Sequence, residues 1–271
     1  MITGVSSGFG YELTKQLLEK GDKVIGTIRS ESSKEKIIDF LGNKNFEAPY
    51  LDVCDIDKTK EVVDKAFKKH GKIDVIISNA GYGLFGGAEE LSMNEVNKII
   101  AANLTGSIAF IKSALPYMRE QGGGRIIQIS SYGGQVAFPA NSLYHATKFG
   151  IEGFCESLAQ EVDKFNIGVT IVEPGGARTE FRYSSAKIAN LMKEYDHIHG
   201  FLNMLDKSKG LAPGNPALMA ARIIESVDKN PAPLRIVLGS QALKSIIDRL
   251  EERLADYKTQ TELASSTDYK E

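Results

Sequence analysis

The residues best suited to chemistry in this sequence are Tyr144 and Lys148, at the start of a predicted helix. Residues four apart lie one above the other on a helix, so the phenol and the ammonium project from one face. A neighbouring cation and the positive end of the helix dipole both favour the phenolate, so we expect a lowered pKa for Tyr144. Such a tyrosine can give a proton to a carbonyl oxygen or take one from an alcohol. Taken alone, the pattern is common, and a half-buried tyrosine beside a solvated lysine is the simpler explanation.

A glycine-rich turn opens the chain, with Gly4, Gly8 and Gly10 ahead of a helical pattern that Gly21 ends. Glycines let backbone N–H groups approach a phosphate at a helix N-terminus, where the helix dipole favours negative charge. A plain flexible loop is the alternative interpretation. Only residues 1–3 precede the turn, so the first strand is either unusually short or begins upstream of this sequence.

Strands and helices alternate along the rest of the chain. This alternation predicts βαβ units, a parallel sheet covered on both faces, and ligands beyond the carboxyl ends of the strands. Asn103 and Gly106 are poor helix formers, so we expect an irregularity or close packing there. Predicted strands are 23–28, 46–51, 73–77, 124–129, 169–173 and 234–238, and predicted helices are 33–41, 56–69, 92–119, 144–162, 216–227 and 241–257.

The composition excludes several classes of protein. The chain has 271 residues, 42% of them hydrophobic and 25% charged, and we predict one domain over residues 1–259 and a polar, disordered tail over 260–271. A net charge of -2 with dispersed basic residues indicates no nucleic-acid partner and no anionic membrane surface. No apolar run approaches a membrane span and no signal peptide precedes the domain, which predicts a cytoplasmic protein. The spacing of the cysteines and histidines predicts neither a disulfide nor a metal site.

Residues 176–215 have the weakest periodicity, which is typical of a segment that covers a substrate and closes on binding. The loop 82–85, Phe138 and, within this segment, residues 181–205 are expected to line the substrate pocket. Its apolar content indicates a fairly hydrophobic alcohol or ketone as the substrate.

With these motifs identified, the chain resembles the short-chain dehydrogenase/reductase family over nearly its whole length. Each motif is weak alone, but six in the right order on the right elements are specific. The resemblance implies an α/β fold with one doubly wound Rossmann-type sheet of about seven parallel strands, in the order 3-2-1-4-5-6-7, and helices on both faces. It also implies hydride transfer between a nicotinamide and a carbonyl or alcohol. The matching motifs are Thr3-Gly4-x3-Gly8-x-Gly10, Asn79-Ala80-Gly81, Asn103 with Gly106, Ser131, Tyr144-x3-Lys148, and Pro174-Gly175 with Thr179.

The resemblance also assigns roles to single residues. Tyr144 is implied as the acid/base, Lys148 as the residue that lowers its pKa and binds the nicotinamide ribose, and Ser131 as the hydrogen-bond partner of the substrate oxygen. Asn103 is implied to anchor a water in a proton relay, and the family spacing to the tyrosine selects Ser131 over Ser130. The loop of residues 83–86 is similar to hydroxysteroid- and retinol-dehydrogenase-type members. The implied cofactor site comprises Thr3, Gly4, Ser6, Ser7, Gly8, Phe9, Gly10, Arg29, Asp52, Val53, Asn79, Ala80, Gly81, Pro174, Gly175 and Thr179, besides Tyr144 and Lys148.

The end of the second predicted strand indicates which nicotinamide cofactor is preferred. A fold that selects NAD(H) places a carboxylate there, which accepts from the ribose 2′-hydroxyl and repels a 2′-phosphate. Here residues 27–30 contain no acid, and Arg29 and Ser30 can both donate to phosphate oxygens. We therefore predict NADP(H), with NAD(H) as the alternative, although Glu31 could partly neutralise Arg29.

Two other functions fit the same fold. A regulatory protein that senses the nucleotide would keep the fold without the chemistry, but it should have lost Ser131, Tyr144 or Lys148, and all three are present. A dehydratase or epimerase of nucleotide sugars is disfavoured by the early Tyr-x3-Lys motif and the short C-terminal region. The family commonly pairs the helix at 92–119 and the helix of Tyr144 between subunits, which predicts a homodimer or homotetramer.

Overall fold

The strands of this fold pair in parallel. The computed structural model describes residues 1–183, 185–206, 208 and 211–269, and every strand pair within them is parallel. In chain order the strands are β1 (Val24–Ile25), β2 (Phe46–Glu47), β3 (Val75–Ser78), β4 (Leu84–Phe85), β5 (Gly124–Ile129), β6 (Ile167–Pro174), β7 (Lys187–Ile188) and β8 (Arg235–Leu238). The main sheet has the order β3-β5-β6-β8, while β1 pairs with β2 and β4 pairs with β7.

The N-terminal residues connect β1 to the main sheet. Ile2 forms one bridge with Gly26 and another with Ile77. Its backbone N–H donates to Ile25 O at 2.8 Å, and the Thr3 N–H donates to Ile77 O at 3.1 Å. The α/β fold class is therefore confirmed. The count of seven strands is not reproduced as such, because a single bridged residue holds the position of the predicted first strand.

Helices cover both faces of the sheet. They are α1 (Gly8–Glu19), α2 (Ile56–His70), α3 (Met93–Ile100), α4 (Gly106–Glu120), α5 (Ser142–Val162), α6 (Glu180–Tyr183), α7 (Leu202–Leu205), α8 (Pro216–Val227), α9 (Ser240–Lys258) and α10 (Thr261–Ser265). The predicted helix at 33–41 is wrong, since two 3₁₀ turns, Glu31–Ser33 and Glu35–Ile37, take its place. The buried side chains of Ile37 and Phe40 pack this segment onto the core that contains α1, and tertiary packing of this kind can override helix propensity. The tail was predicted to be disordered, but its exposed residues 261–265 form α10.

Neighbouring residues of β5 enter different apolar cores. Ile126 packs in the core that contains side chains of α2, α4 and α5, whereas Ile127 packs in the core that contains side chains of α1 and α8. Successive side chains of a strand point to opposite faces, so a strand covered on both faces is apolar throughout. This arrangement fixes α5 and α1 on opposite faces of the sheet, near the two motifs that the sequence singles out.

The long helix predicted at 92–119 is interrupted by one π turn, Ala101–Thr105, between α3 and α4. At the end of this turn, a Cβ added to Gly106 would lie 2.5 Å from the carbonyl oxygen of Val53. Both halves of the expectation for this region, an irregularity and close packing, are therefore confirmed. Such π turns occur frequently at functional sites.

The prediction that no apolar run approaches a membrane span is wrong for this stretch. Met93–Glu120 has 28 residues and contains an 18-residue window of mean hydropathy 1.3, which by length and composition alone is enough to cross a membrane. Phe110, Ile111 and Met118 are fully buried in the same core as the apolar side chains of α2. The apolar character of this stretch is accounted for by packing inside the fold.

We predict that Gly106→Ala destabilises the protein by roughly 1–3 kcal/mol, the usual cost of overpacking a tight contact. The added methyl group would meet a backbone oxygen, which cannot move aside as a flexible side chain can. The control is Gly153→Ala on α5, where nothing lies within 4 Å of the added Cβ. That change should stabilise the helix by about 0.5–1 kcal/mol. Denaturant unfolding measures both effects, and equal stability of the two variants would contradict the packing account.

Candidate active site

The carboxyl end of β5 and the first turns of α5 bring the predicted catalytic side chains together. The Tyr144 and Ser131 hydroxyls are hydrogen-bonded to each other. Ser131 Oγ also accepts the Gly133 N–H at 3.0 Å, which leaves its own proton free to be donated. Lys148 Nζ donates to the carbonyl oxygen of Ile129, the last residue of β5, at 2.9 Å. By contrast, Ser130 Oγ donates to Glu152 at 2.6 Å and does not take part in this cluster.

The expected lowering of the Tyr144 pKa is wrong for the protein's own groups. Burial raises the pKa of Tyr144 to about 12, and the hydrogen bond with Ser131 opposes this increase only in part. The Lys148 ammonium donates a hydrogen bond to the Ile129 carbonyl and lies 5.6 Å from the centre of the Tyr144 ring. Desolvation therefore outweighs the nearby cation, and Tyr144 holds its proton at neutral pH.

Lys148 is also buried, with 6% of its surface exposed. Burial lowers the pKa of the Lys148 ammonium to about 8, and the charge of Glu152 one helical turn away opposes this decrease. An ammonium with this pKa titrates close to physiological pH. The charge state of Lys148 is therefore sensitive to its neighbours.

Asn103 lies in the π turn and holds the loop that follows β3. Its Oδ1 accepts the Tyr82 N–H at 3.0 Å, and its Nδ2 donates to Tyr82 O at 2.9 Å. A weaker contact of 3.4 Å joins Nδ2 to Thr147 Oγ1 on α5. Both N–H groups of the side-chain amide are thus used, while the backbone carbonyl of Asn103 accepts the Ser107 hydroxyl at 3.1 Å. The role of Asn103 in a proton relay stays a prediction.

The glycine-rich turn has the geometry of a phosphate-binding loop. Gly4 and Gly8 have φ angles of 72° and 57°, in the left-handed region that favours glycine. A Cβ at Gly10 would overlap Gly4 O and lie 2.7 Å from Asn79 Nδ2. Ser7 begins α1 without a side-chain cap, so the N–H groups of the first turn remain available to an anion. The turn, which includes Ser6 and Phe9, therefore fits the diphosphate of a dinucleotide.

The motif Asn79-Ala80-Gly81 holds this turn in place from the end of β3. Asn79 Nδ2 donates to Thr3 O at 2.9 Å and to Gly4 O at 3.0 Å. Thr3 Oγ1 accepts the N–H groups of Asn79 and Ala80 at 2.9 and 3.0 Å. Gly81 passes so close to Asn103 that an added Cβ would lie 3.0 Å from its Oδ1. These contacts are structural, and they position the turn.

The residues after β1 and β2 form the far side of the candidate cofactor site. Arg29 is exposed and close enough to the Cys54 thiol to affect its pKa, and Asp52 Oδ1 accepts the Cys54 N–H at 3.0 Å. Glu31 is paired with Lys34 at 2.6 Å and accepts the Tyr50 hydroxyl. Glu31 therefore interacts with Lys34 and Tyr50 rather than neutralising Arg29. The carbonyl of Val53 faces Gly106.

Sequence reasoning missed Lys36, which lies in the second 3₁₀ turn beside the glycine-rich turn. A cavity of about 420 Å³ is lined by Lys36, Ser6, Ser7, Gly8, Tyr11 and Glu180. No ion pair of Lys36 is found among the described residues. The helix predicted at 33–41 gave no indication that Lys36 would lie beside the glycine-rich turn.

Pro174 and Gly175, at the end of β6, and Thr179 close the opposite side of the turn. The Gly175 N–H donates to Leu238 O at 2.8 Å, and the buried Thr179 side chain lies 3.6 Å from a Cβ added to Gly8. Asn79 and Thr179, from two separate segments, thus lie against the glycine-rich turn. Whether each predicted residue touches a cofactor stays a prediction.

Aromatic side chains border the Tyr144 hydroxyl region. The ring of Phe181 lies 5.8 Å from the ring of Tyr144, and Lys187 Nζ lies 4.9 Å above the ring of Tyr82. Leu84 and Phe85, expected in the pocket wall, are buried in β4, which pairs with β7, and Leu84 packs in the same apolar cluster as Tyr144. Phe138 is exposed, as a pocket-lining side chain can be.

His145, the neighbour of Tyr144, was not assigned a role from the sequence. Its Nδ1 lies 2.8 Å from Gly133 O, and its Nε2 accepts the Phe138 N–H at 3.0 Å. Burial lowers the pKa of His145, which favours the neutral ring that this pair of bonds requires. His145 thus ties the loop between Ser131 and Phe138 to α5, a role that only tertiary contacts reveal.

The segment 176–215 is attached to the rest of the site through Glu90. This buried carboxylate accepts the Gly87 N–H, the Met192 N–H at 2.7 Å and a contact from His199 Nε2 at 2.7 Å. Burial acts to raise the Glu90 pKa, but the bonds from Met192, Gly87 and His199 outweigh it and leave the pKa lowered. An anionic Glu90 therefore fastens the segment at neutral pH.

Within residues 1–183, 185–206, 208 and 211–269, no group of three or more His, Cys, Asp or Glu side chains could hold a metal ion. The candidate site instead combines a diphosphate-binding turn with a tyrosine, a serine and a lysine. This is the class of site found in dinucleotide-dependent enzymes, where the cofactor carries the chemistry and the protein supplies orientation and a proton.

Comparison with known proteins agrees with this class. The family model for short chain dehydrogenase matches residues 1–189. The chain is 34% identical over 244 residues to oxidoreductase BOA17 of Botryotinia fuckeliana, covering 90% of this chain and 89% of the relative. It is also 34% identical over 245 residues to 3-ketodihydrosphingosine reductase of Bacteroides thetaiotaomicron, covering 88% and 87% of the two chains.

Two solved structures resemble the fold closely. A short-chain dehydrogenase from Streptomyces avermitilis has a TM-score of 0.91 at 34% identity, covering 99% of this chain and 97% of that one. ElxO with NADP bound has a TM-score of 0.74 at 26% identity, covering 90% and 97%. The chain belongs to the short-chain dehydrogenase family and is an NAD(P)-dependent oxidoreductase.

We predict that Glu90→Gln speeds amide exchange in residues 189–201 by roughly ten- to a hundredfold. A glutamine keeps the shape of the side chain but offers one acceptor oxygen in place of two. The control is Glu95→Gln, which changes a nearby carboxylate that accepts the Ser92 N–H at 2.9 Å and the Ser92 hydroxyl at 2.6 Å, outside that segment. Hydrogen exchange measured by mass spectrometry tests this, and equal exchange in the two variants would show that Glu90 does not fasten the segment.

Proposed function

We propose that this protein uses NADP(H) to transfer a hydride between the nicotinamide and a carbonyl or secondary alcohol of a fairly hydrophobic small molecule. Tyr144 serves as the acid/base, and Ser131 orients the reacting oxygen. The observation that carries the proposal is the hydrogen bond between the Tyr144 and Ser131 hydroxyls, with Lys148 held one turn behind Tyr144. Two hydroxyls that meet at one point can both bond to one substrate oxygen.

A bound nicotinamide would supply or accept the hydride. The protein's contribution is a proton and a pair of donors at the oxygen that becomes an alkoxide. Because burial raises the pKa of Tyr144 to about 12, its hydroxyl carries a proton at neutral pH and can give it to a carbonyl oxygen. The protonated form of Tyr144, which carbonyl reduction requires, is therefore the form present at neutral pH.

NADP(H) is favoured over NAD(H) by the cations near the glycine-rich turn. Arg29 follows β1, and no ion pair of Arg29 is found in the part of the chain that the structure describes, while Glu31 is paired with Lys34. Lys36 lines the cavity at the turn, where its ammonium adds positive charge. ElxO, a similar structure, contains NADP, which supports this choice.

The substrate is proposed to be a hydrophobic ketone or secondary alcohol. Phe181 and Tyr82 border the reacting hydroxyls, and apolar walls with few polar groups suit an apolar chain. A relative that is 34% identical to this chain is named 3-ketodihydrosphingosine reductase, and that name denotes a keto compound as its substrate. A panel of carbonyl compounds of increasing chain length, followed by NADPH oxidation, tests this point.

Tyr144→Phe should keep the fold and cofactor binding but lower turnover by about 10²- to 10⁴-fold, the usual contribution of a positioned acid/base. The control is Tyr117→Phe, which removes a hydroxyl bonded to Asp64 on the surface of α2 and should leave turnover unchanged. Turnover of the Tyr144→Phe variant close to that of the wild-type protein would eliminate the acid/base role. A nucleotide-sensing protein would instead bind NADPH and turn over none of the carbonyl panel.

Arg29→Ala should weaken NADPH binding by about ten- to a hundredfold and leave NADH almost unchanged, since a hydrogen bond to a charged group contributes about 1.5–3 kcal/mol. The control is Arg222→Ala on α8, which removes the same charge from an exposed pair with Glu225. Calorimetric titration with both cofactors is the measurement. Equal weakening of NADPH and NADH, or equal affinity of the wild-type protein for both, would contradict the assignment.

A further inference from the structure

One face of α5 contacts three successive residues at the end of β5. Tyr144 bonds to Ser131, Lys148 Nζ bonds to the Ile129 carbonyl at 2.9 Å, and Glu152 accepts from Ser130 Oγ at 2.6 Å. The spacing of four residues aligns these three side chains along the helix. Glu152 has no part in the proposed reaction, yet it holds the serine next to Ser131.

Glu152 belongs to a buried cluster that connects α5 to two further strands. Glu152 and Glu173 of β6 are 2% and 1% exposed. Arg235 of β8 lies between them, with its Nε 3.1 Å from Glu173 Oε1 and 3.5 Å from Glu152 Oε2. The contact with Glu173 lacks hydrogen-bond geometry, so it acts through charge. Arg235 Nη2 also reaches Glu156 on the surface at 2.8 Å.

The cluster has one arginine for two buried carboxyl groups, so one carboxyl retains its proton at neutral pH. Burial raises the Glu173 pKa well above its usual range, and the charge of Glu152 and the hydrogen bond between the two groups act in the same direction. Glu173 then donates to Glu152, which keeps the negative charge. Two like carboxylates in contact cannot both ionise in a dry environment.

Two features of the surrounding backbone and side chains fit a cluster built around Glu152. A Cβ at Gly134 would overlap Glu152 Oε1 and lie 2.9 Å from Ser130 Oγ. Gln135 donates its side-chain amide to Glu152 Oε2. Both residues belong to the loop that follows Ser131. The loop that carries the substrate-side residues is therefore packed onto this carboxylate.

We propose that Glu152 is a positioning residue with two effects, both of which rest on the proposed function. Its carboxylate fixes Ser130, and through it Ser131, at the distance at which Ser131 meets Tyr144. Its charge, one turn below Lys148, keeps that side chain as an ammonium. Glu173 and Arg235 retain this charge on Glu152 inside the fold.

The effect of the Glu152 charge on Lys148 can be distinguished from the effects of the other ionisable groups nearby. Tyr144 and Cys155 lie on α5 itself, Glu156 on its exposed side, Tyr132 on the turn after β5, Glu173 on β6 and Arg235 on β8. Among these, Glu152 is the carboxylate whose charge acts on Lys148. Burial alone would lower the Lys148 pKa further than the value of about 8.

The experiment titrates Lys148 directly in the free protein, through the ¹³Cε signals of isotopically labelled lysine. The Lys148 signal is assigned by its loss in Lys148→Arg. In Glu152→Gln, which keeps an acceptor for Ser130, the midpoint should fall by roughly one pH unit or more. The alkaline limb of the kcat/KM profile should move down with it. If Glu152 had a purely structural role, Glu152→Gln would lower kcat without moving the Lys148 midpoint or the alkaline limb of the kcat/KM profile.

Three variants complete the test. Glu156→Gln, on the same helix and also bonded to Arg235, should leave the Lys148 midpoint and turnover unchanged. Ser130→Ala removes the 2.6 Å bond but keeps the charge, so kcat should fall at an unchanged Lys148 midpoint. Arg235→Gln removes the cation that keeps Glu152 ionised, so the Lys148 midpoint should fall, as in Glu152→Gln. This second variant keeps the charge effect testable if Glu152→Gln does not fold.

The outcomes distinguish this inference from the proposed function. An unmoved Lys148 midpoint in both Glu152→Gln and Arg235→Gln would overturn the charge effect, and wild-type kcat in Ser130→Ala would overturn the positioning effect. The titration needs no turnover. It can therefore be read even if Tyr144→Phe is fully active, a result that would overturn only the proposed reaction.

Discussion

The site depends on one buried contact, the packing of the polar face of α5 against the carboxyl end of β5. A helix face that carries a tyrosine, a lysine and a glutamate would normally lie in water, because burying such groups without partners is costly. Here each of them meets a polar partner on residues 129–131. The same contact that satisfies these groups brings the Ser131 and Tyr144 hydroxyls together, so folding and assembly of the site are one event.

A second set of contacts holds the glycine-rich turn at the edge of the same sheet. Thr3 and Asn79 bond the turn to the end of β3. Because β3 and β5 are hydrogen-bonded neighbours, the turn and the Tyr144–Ser131 pair are fixed relative to each other through the sheet. The distance between a bound dinucleotide and the acid/base is thus set by main-chain geometry.

Burial sets the electrostatics of the site more than local charge does. It raises the Tyr144 pKa, lowers the Lys148 pKa and raises the Glu173 pKa, each by disfavouring the charged form. Opposing interactions, such as those of Ser131 with Tyr144 and of Glu152 with Lys148, are secondary. A cation beside a tyrosine is therefore insufficient evidence for a phenolate when both groups lie in a dry interior.

The sequence by itself determined the fold class, the order of the motifs and the irregular point in the long helix, since these follow from periodicity, glycine placement and helix propensity. It also indicated Tyr144 and Lys148, because i and i+4 residues share a helix face, and a strand end leads into Ser130 and Ser131, of which the family resemblance selected Ser131. Tertiary structure alone decided the rest. Two 3₁₀ turns, Glu31–Ser33 and Glu35–Ile37, stand where the 33–41 helix was predicted, and Leu84 and Phe85 form β4, which pairs with β7. His145, Glu90 and Glu152 acquired roles only through partners distant in sequence, and the sign of the Tyr144 pKa shift depended on burial. Contacts between residues distant in sequence and the burial of a side chain both result from tertiary packing, which a linear pattern does not encode.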